Sequence, residues 1–249
     1  MARFPRIRSL LLGVTAIGAL LLAAVASSAM TLAKTPVKTL DDLPRHTYKV
    51  AGPVSAMLAD PAAFDAFCAA VRADVESDLA TYDIGDKAAV QRLLNTLLSL
   101  DLVQGRDADV RARVEAVRAL EDKEATRLTT GLVALALVSA RGAAGSDVNS
   151  PAFKAAFRAA LDKELAPLPA DLVRDNIQAQ KGRMEIMSPA LLTGMVQSQL
   201  DPIVAAAGEV SSDLAGQVIG LGSAMRTVLP LRDELVAAYT ARSEERRVG

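Results

Sequence analysis

The chain has one cysteine, Cys68, and one histidine, His46, among its 249 residues. A single thiol excludes an internal disulfide framework and a thiolate-built metal site, and a single imidazole excludes any site that needs two. Tryptophan is absent and aromatic residues make up only 3%, too few for a sugar-stacking platform or a base-stacking surface. An excess of charge is lacking as well. The 28 Lys and Arg against 29 Asp and Glu leave a net charge of −1, which excludes both a strongly basic nucleic-acid binder and an acidic disordered tail. What is present is Ala, Leu and Val: 51% of the residues are hydrophobic, enough to bury a substantial core, and their type favours close-packed helices.

The two ends differ in texture from the middle. Arg3, Arg6 and Arg8 precede an uncharged run from Leu10 to Val25, and the small residues Ala26, Ser27, Ser28 and Ala29 follow. That order is that of a secretory signal peptide over 1–29, cleaved after Ala29. The alternative is an uncleaved anchor, although the run falls just short of the roughly 20 residues a spanning helix needs. The chain is therefore expected to be exported, to the periplasm or beyond, with no membrane contact once the leader is removed. No cysteine near the cleavage site offers a lipid attachment point, and a pair of adjacent arginines is absent. At the other end, 242–249 reads Arg-Ser-Glu-Glu-Arg-Arg-Val-Gly and resembles, over all eight residues, the translation of a common sequencing adapter. The resemblance implies a non-native tail on a gene that continues past Ala241; the other reading is a solvated, frayed helix end. Without leader and tail the net charge is about −5, which suits a soluble exported protein.

The residues 30–52 read as a polar linker without a core of its own, holding one short strand from Thr47 to Val50. Helical patterning then fills 53–241. Asp60 followed by Pro61 is a cap-and-proline start, and Phe64, Phe67, Cys68, Val71, Val75 and Leu79 follow at three- and four-residue steps. Cys68 falls on that apolar face, as an inert core thiol. Val90 to Leu102 gives a second stripe ending near Gly105, Val110 to Leu120 a third, and Leu128, Leu132, Leu135 and Val138 a fourth. Gly131 to Val138 is apolar throughout but too short to cross a bilayer, and reads as a central buried helix. Ser150-Pro151 and Ser188-Pro189 repeat the cap-and-proline start, a helix from about Asp171 weakens at Gly182, and Pro202 is expected to kink or split the helix that holds Leu191, Leu192, Met195 and Val196. The last two helices begin near Ser212 and Pro230. The expected fold is all-α, an array of antiparallel helical hairpins with about eight to ten helices. The pair from about Asp86 to Glu121 resembles one degenerate tetratricopeptide unit, or is an ordinary hairpin with a glycine at its turn, since no 34-residue repeat recurs.

No constellation carries recognisable chemistry. His46 lies in the linker without an evident partner, as a surface histidine would. Ser223 lacks the Gly-x-Ser-x-Gly turn of a nucleophile elbow. Asp74, Glu76 and Asp78, and Glu121, Asp122 and Glu124, lack the glycine-centred loop of a calcium site and read as solvent-facing carboxylates. Arg174, Asp175, Lys181, Arg183 and Glu185 form a mixed-charge group suited to internal salt bridges or to a docking edge. The sequence thus assigns no catalytic, cofactor-binding or metal-binding residue and implies no cofactor.

Four segments carry a resemblance: Thr39-Leu40-Asp41-Asp42-Leu43-Pro44-Arg45-His46-Thr47-Tyr48, Arg118-Ala119-Leu120-Glu121-Asp122-Lys123, Lys181-Gly182-Arg183 and Gln199-Leu200-Asp201-Pro202. Together they resemble the amino-terminal helical region of large exported bacterial subtilisin-like serine proteases, over nearly all of Thr39 to Ala241. The resemblance implies a non-catalytic accessory or propeptide-like region whose partner is a peptidase domain in cis. The family's catalytic Asp, His and Ser blocks, including its Gly-Thr-Ser-Met-Ala box, have no counterpart in this sequence, so no catalytic residue carries over. The alternative is a free-standing periplasmic helical scaffold that binds a protein partner through an uncovered apolar groove.

Overall fold

In a computed structural model the chain divides into Met1–Thr35 and a compact unit, Pro36–Gly249. Residues 33–172, 175 and 177–244 are described, so the expected signal peptide with its cleavage site and residues 245–249 of the tail lie outside the described residues. The fold is all-α, 77% helical, with a few three-residue strands.

In chain order the elements are β1 (Thr35–Val37), β2 (Thr47–Lys49), α1 (Val54–Ala59), α2 (Pro61–Thr81), β3 (Tyr82–Ile84), α3 (Lys87–Val103), α4 (Asp107–Leu120), α5 (Glu124–Thr129), α6 (Leu132–Ala144), α7 (Pro151–Leu165), α8 (Gln178–Ile186), α9 (Pro189–Met195), α10 (Asp201–Ala207), β4 (Glu209–Ser211), α11 (Ser212–Ser223) and α12 (Arg232–Glu244), with a single helical turn at Ala170–Leu172. The three cap-and-proline starts form as the sequence dictates. The Asp60 carboxylate accepts from the Ala62 and Ala63 N–H groups, the Ser150 hydroxyl from Phe153 N–H and the Ser188 hydroxyl from Leu191 N–H, each with proline in the first turn.

Two apolar clusters hold the unit together. One joins α4, α6, α7 and α12 through Val110, Val114, Leu135, Leu137, Phe153, Phe157, Leu161 and Tyr239. The other joins β2, α1, α2, α3, α11 and the helical segment around α9 and α10 through Tyr48, Phe64, Phe67, Val71, Leu97, Leu200, Val210 and Ile219. The predicted stripes supply both, and the Gly131-to-Val138 run forms the start of the buried helix α6. Between α2, α3 and α4 lies an ionic knot. Arg72 donates to the fully buried Asp101 at 2.7 Å, Arg113 approaches the other Asp101 oxygen at 3.3 Å, and Arg72 also reaches Gln104 and Glu76. Pairing and hydrogen bonding on both oxygens let the Asp101 carboxylate sit without water.

Two local expectations are corrected. Within the polar linker, Leu43 and Tyr48 are buried, and β2 pairs antiparallel with β4 in the register Thr47↔Ser211, Tyr48↔Val210 and Lys49↔Glu209. The Ser212 N–H donates to the His46 carbonyl at 2.9 Å, so by the alternation of an antiparallel ladder Tyr48 and Val210 exchange the next pair of bonds. The fourth stripe is two helices, because Gly131 takes φ +79 and a Cβ there would lie 2.5 Å from a Val114 methyl; the chain turns where only glycine fits. α8 passes through Gly182 and runs on to Ile186. At Pro202 the regular α-helix is interrupted: a π-helical stretch, Val196–Leu200, separates α9 from α10, and a second, Ala224–Val228, precedes Pro230. A proline has no N–H to give to the carbonyl four residues earlier and crowds it, and a widened turn accommodates both.

Candidate functional site

The sole histidine is the centre of a polar constellation in the described unit. His46 stands just before β2, and its imidazole lies against α2, where Asp74 and Asp78, four residues apart, share one face of the helix. The Nδ1 atom is 3.4 Å from Asp74 Oδ2 and Nε2 is 3.1 Å from Asp78 Oδ2. Tyr48, two residues along, packs its ring edge-on to Phe67 at 5.5 Å, with its hydroxyl near Asp74. Burial, reinforced by the nearby Asp74 and Asp78 charges, pushes the Tyr48 hydroxyl pKa up, so it stays a protonated donor. Burial also pushes the Asp78 carboxyl above the usual carboxylate range, against the lowering effect of the His46 contact.

This cluster forms part of the wall of an open cavity of about 610 Å³ between the His46 segment, α2, α3 and the start of α11. Its other polar lining includes Arg92, Asn95, Thr96 and Asp213. Both ring nitrogens face carboxylates, so the one lone pair of a neutral ring would point at Asp74 or at Asp78.

The sequence read His46 as a surface histidine without partners and Asp74 and Asp78 as solvent-facing; the structure corrects both. Asp78 is buried and both carboxylates meet the ring. Glu76, between them, turns the other way to Arg72 and Arg106. In the second carboxylate group, Glu121 accepts from Gln91 and Asp122 pairs with Lys87, both on α3, while Glu124 sits in the first turn of α5. The structure does not bring the two groups together into one site. Cys68 is fully buried, and desolvation pushes its thiol up to about 12, which keeps it protonated and unreactive. Ser223 ends α11, buried, with its carbonyl accepting from the Thr227 hydroxyl at 2.6 Å. In the mixed-charge group, Lys181 pairs with Glu185 at 3.7 Å, and Arg174 is outside the described residues. Among the described residues, no three His, Cys, Asp or Glu side chains are gathered where they could hold a metal ion, and no helix is long and apolar enough to cross a membrane.

One surface escaped the sequence reading. Along the continuous run α9, π-turn and α10, Leu192, Val196, Leu200 and Val204 are buried at four-residue spacing, and immediately beside them Leu191, Met195 and Ile203 are 44%, 38% and 53% exposed. Ile186, at the end of α8, is 72% exposed. The periodicity carried the signal, because two adjacent apolar stripes on one helix exceed what a single buried face needs.

Comparison with models of protein families, with curated proteins and with solved structures gave no match.

Proposed function

We propose that this chain is a non-catalytic helical docking module, exported from the cell, whose partner is the catalytic domain of a subtilisin-like serine protease. The observation that carries the docking role is the exposed stripe Leu191, Met195 and Ile203. Large apolar side chains grouped on one element mark an interface with another protein, because each exposed one forgoes the gain of burial. The stripe spans the stretch that includes Gln199-Leu200-Asp201-Pro202 and follows Lys181-Gly182-Arg183, two of the segments that carry the protease resemblance. The His46 geometry supports the absence of catalysis in the module, since its two nitrogens are committed to Asp74 and Asp78.

A different feature favours a second reading, a free-standing scaffold for a protein partner. An open groove of about 560 Å³ runs beside β2 and is lined by small and apolar residues, among them Ala56, Met57, Ala63, Ala66, Phe67 and Ala70. The source locus discriminates the two. An Asp block, a His block and a Gly-Thr-Ser-Met-Ala-like block in frame downstream support the protease module, whereas a stop codon directly after Gly249 sinks it in favour of the scaffold. For the docking stripe, the triple variant Leu191→Ser, Met195→Ser and Ile203→Ser is expected to keep its helical content and lose at least tenfold in affinity for the partner domain; unchanged affinity overturns that role. Amino-terminal sequencing of exported protein, expected to begin at about residue 30, tests export.

A further inference from the structure

We propose that His46 is a pH-operated clasp: protonated, it fastens the segment 43–49 across α2 and holds the wall of the 610 Å³ cavity in place; neutral, it releases one carboxylate and loosens that segment. The inference is independent of the docking reading. It rests on a counting argument. An imidazolium has two N–H donors and a neutral imidazole has one. Two carboxylate oxygens, on Asp74 and Asp78, stand opposite the two nitrogens at 3.4 and 3.1 Å. With both carboxylates ionised, only the protonated ring satisfies both. In either neutral tautomer one nitrogen turns a lone pair toward a carboxylate, which replaces a charge-assisted hydrogen bond with repulsion.

The charged and titratable groups around the ring favour this reading. From α2 come Asp74 and Asp78; α3 contributes Arg92 and α11 contributes Asp213 to the same cavity wall; the segment itself carries Arg45 and Lys49, and the Tyr48 hydroxyl lies near Asp74 as a protonated group. The two groups in contact with the ring are both acidic. A proton retained by Asp78, whose carboxyl burial raises, acts in the same direction, because it restores a donor to that contact. The segment's other ties are the buried Leu43, the Tyr48 ring in the second apolar cluster and on Phe67, the Ser212 N–H bond to the His46 carbonyl, and a three-residue ladder to β4. Loss of a ring contact therefore loosens the segment at its one ionic tie to α2, and the ladder and the cavity wall respond together.

The test uses the full chain. Because there is one histidine, its ring protons in a nuclear magnetic resonance titration are assigned without ambiguity, and amide hydrogen exchange, corrected for the intrinsic effect of pH, reports the ladder at Tyr48, Val210 and Ser212. The protection of those three amides is expected to fall about fivefold as the ring loses its proton, in step with the change its own signals report, while Leu137 in α6 stays constant. His46→Gln is expected to abolish the pH dependence. Asp74→Asn should reduce it, because an amide there can donate to the neutral ring. Ladder protection that stays flat through the ring titration overturns the clasp, as does His46→Gln with the pH dependence of the native chain. Should His46→Gln fail to fold, the native titration together with Asp74→Asn decides the question by the same criteria.

Discussion

Gly222 and Phe64 occupy one another's space: a Cβ placed on Gly222 would lie 2.2 Å from the Phe64 Cζ atom. The absence of a side chain on α11 is what lets the ring of α2 lie against the helix backbone, and Arg226 then stacks over the same ring at 4.4 Å. Gly222→Ala must push a fully buried phenylalanine out of place, against the small gain in helix propensity that alanine brings. A loss of about 1–3 kcal/mol is expected, measured by denaturant unfolding. A neutral or stabilising result would show that the two helices separate freely.

Removing the centre of the ionic knot should cost more. Asp101→Ala leaves Arg72 buried without its carboxylate, and about 3–5 kcal/mol of stability is expected to go with it. Lys87→Ala, at the exposed pair with Asp122, is expected to cost under about 1 kcal/mol. Comparable losses for the two variants would contradict the contrast in burial.

The Cys68 thiol, buried and pushed up to about 12, is expected to resist a water-soluble disulfide reagent at pH 8 and to react stoichiometrically once the chain is unfolded in guanidinium. Rapid modification of the native protein would place Cys68 outside the core.

Asp78 sets the sign of a pH effect on stability. Its carboxyl is raised in the folded chain, so between the ordinary carboxylate value and the raised one the folded state binds more protons than the unfolded state. The contribution is fully present below the unfolded value and is lost as pH rises through the folded one. The stability of the native chain relative to Asp78→Asn is therefore expected to decline from about pH 4 toward neutrality, as followed by melting temperature. A relative stability that rises over that interval would be inconsistent with a desolvated carboxyl.

Local signals wrote most of the helices. Asp60-Pro61, Ser150-Pro151 and Ser188-Pro189 are caps that act within three residues, and the stripe Phe64, Phe67, Cys68, Val71 and Val75 is a property of one helix alone. The site was hidden for the opposite reason. His46 meets Asp78 across 32 residues of sequence, and nothing in either residue's neighbourhood names the other. Tyr48 and Val210 are both apolar enough for a core, but their pairing depends on how the helices between them pack. The exposure of Leu191 beside the burial of Leu192 was legible only as two adjacent apolar stripes, because periodicity does not say which of them is covered. Gly131 was readable only as an apolar position; its positive φ is fixed by Val114, on a different helix.

The tie between Ser55 and Asp201 spans 146 residues, with the carboxylate accepting from both the Ser55 N–H and its hydroxyl. The β2–β4 ladder closes alongside it. Helical pairs made of neighbours in sequence can pack as soon as they are synthesised, but these two contacts, like those of α2 and α3 with α11, need residues from both ends of the unit. Whatever the order of assembly, the amino-terminal segment is tied down only by closing a loop of 146 residues, an entropy cost that no local helix signal offsets.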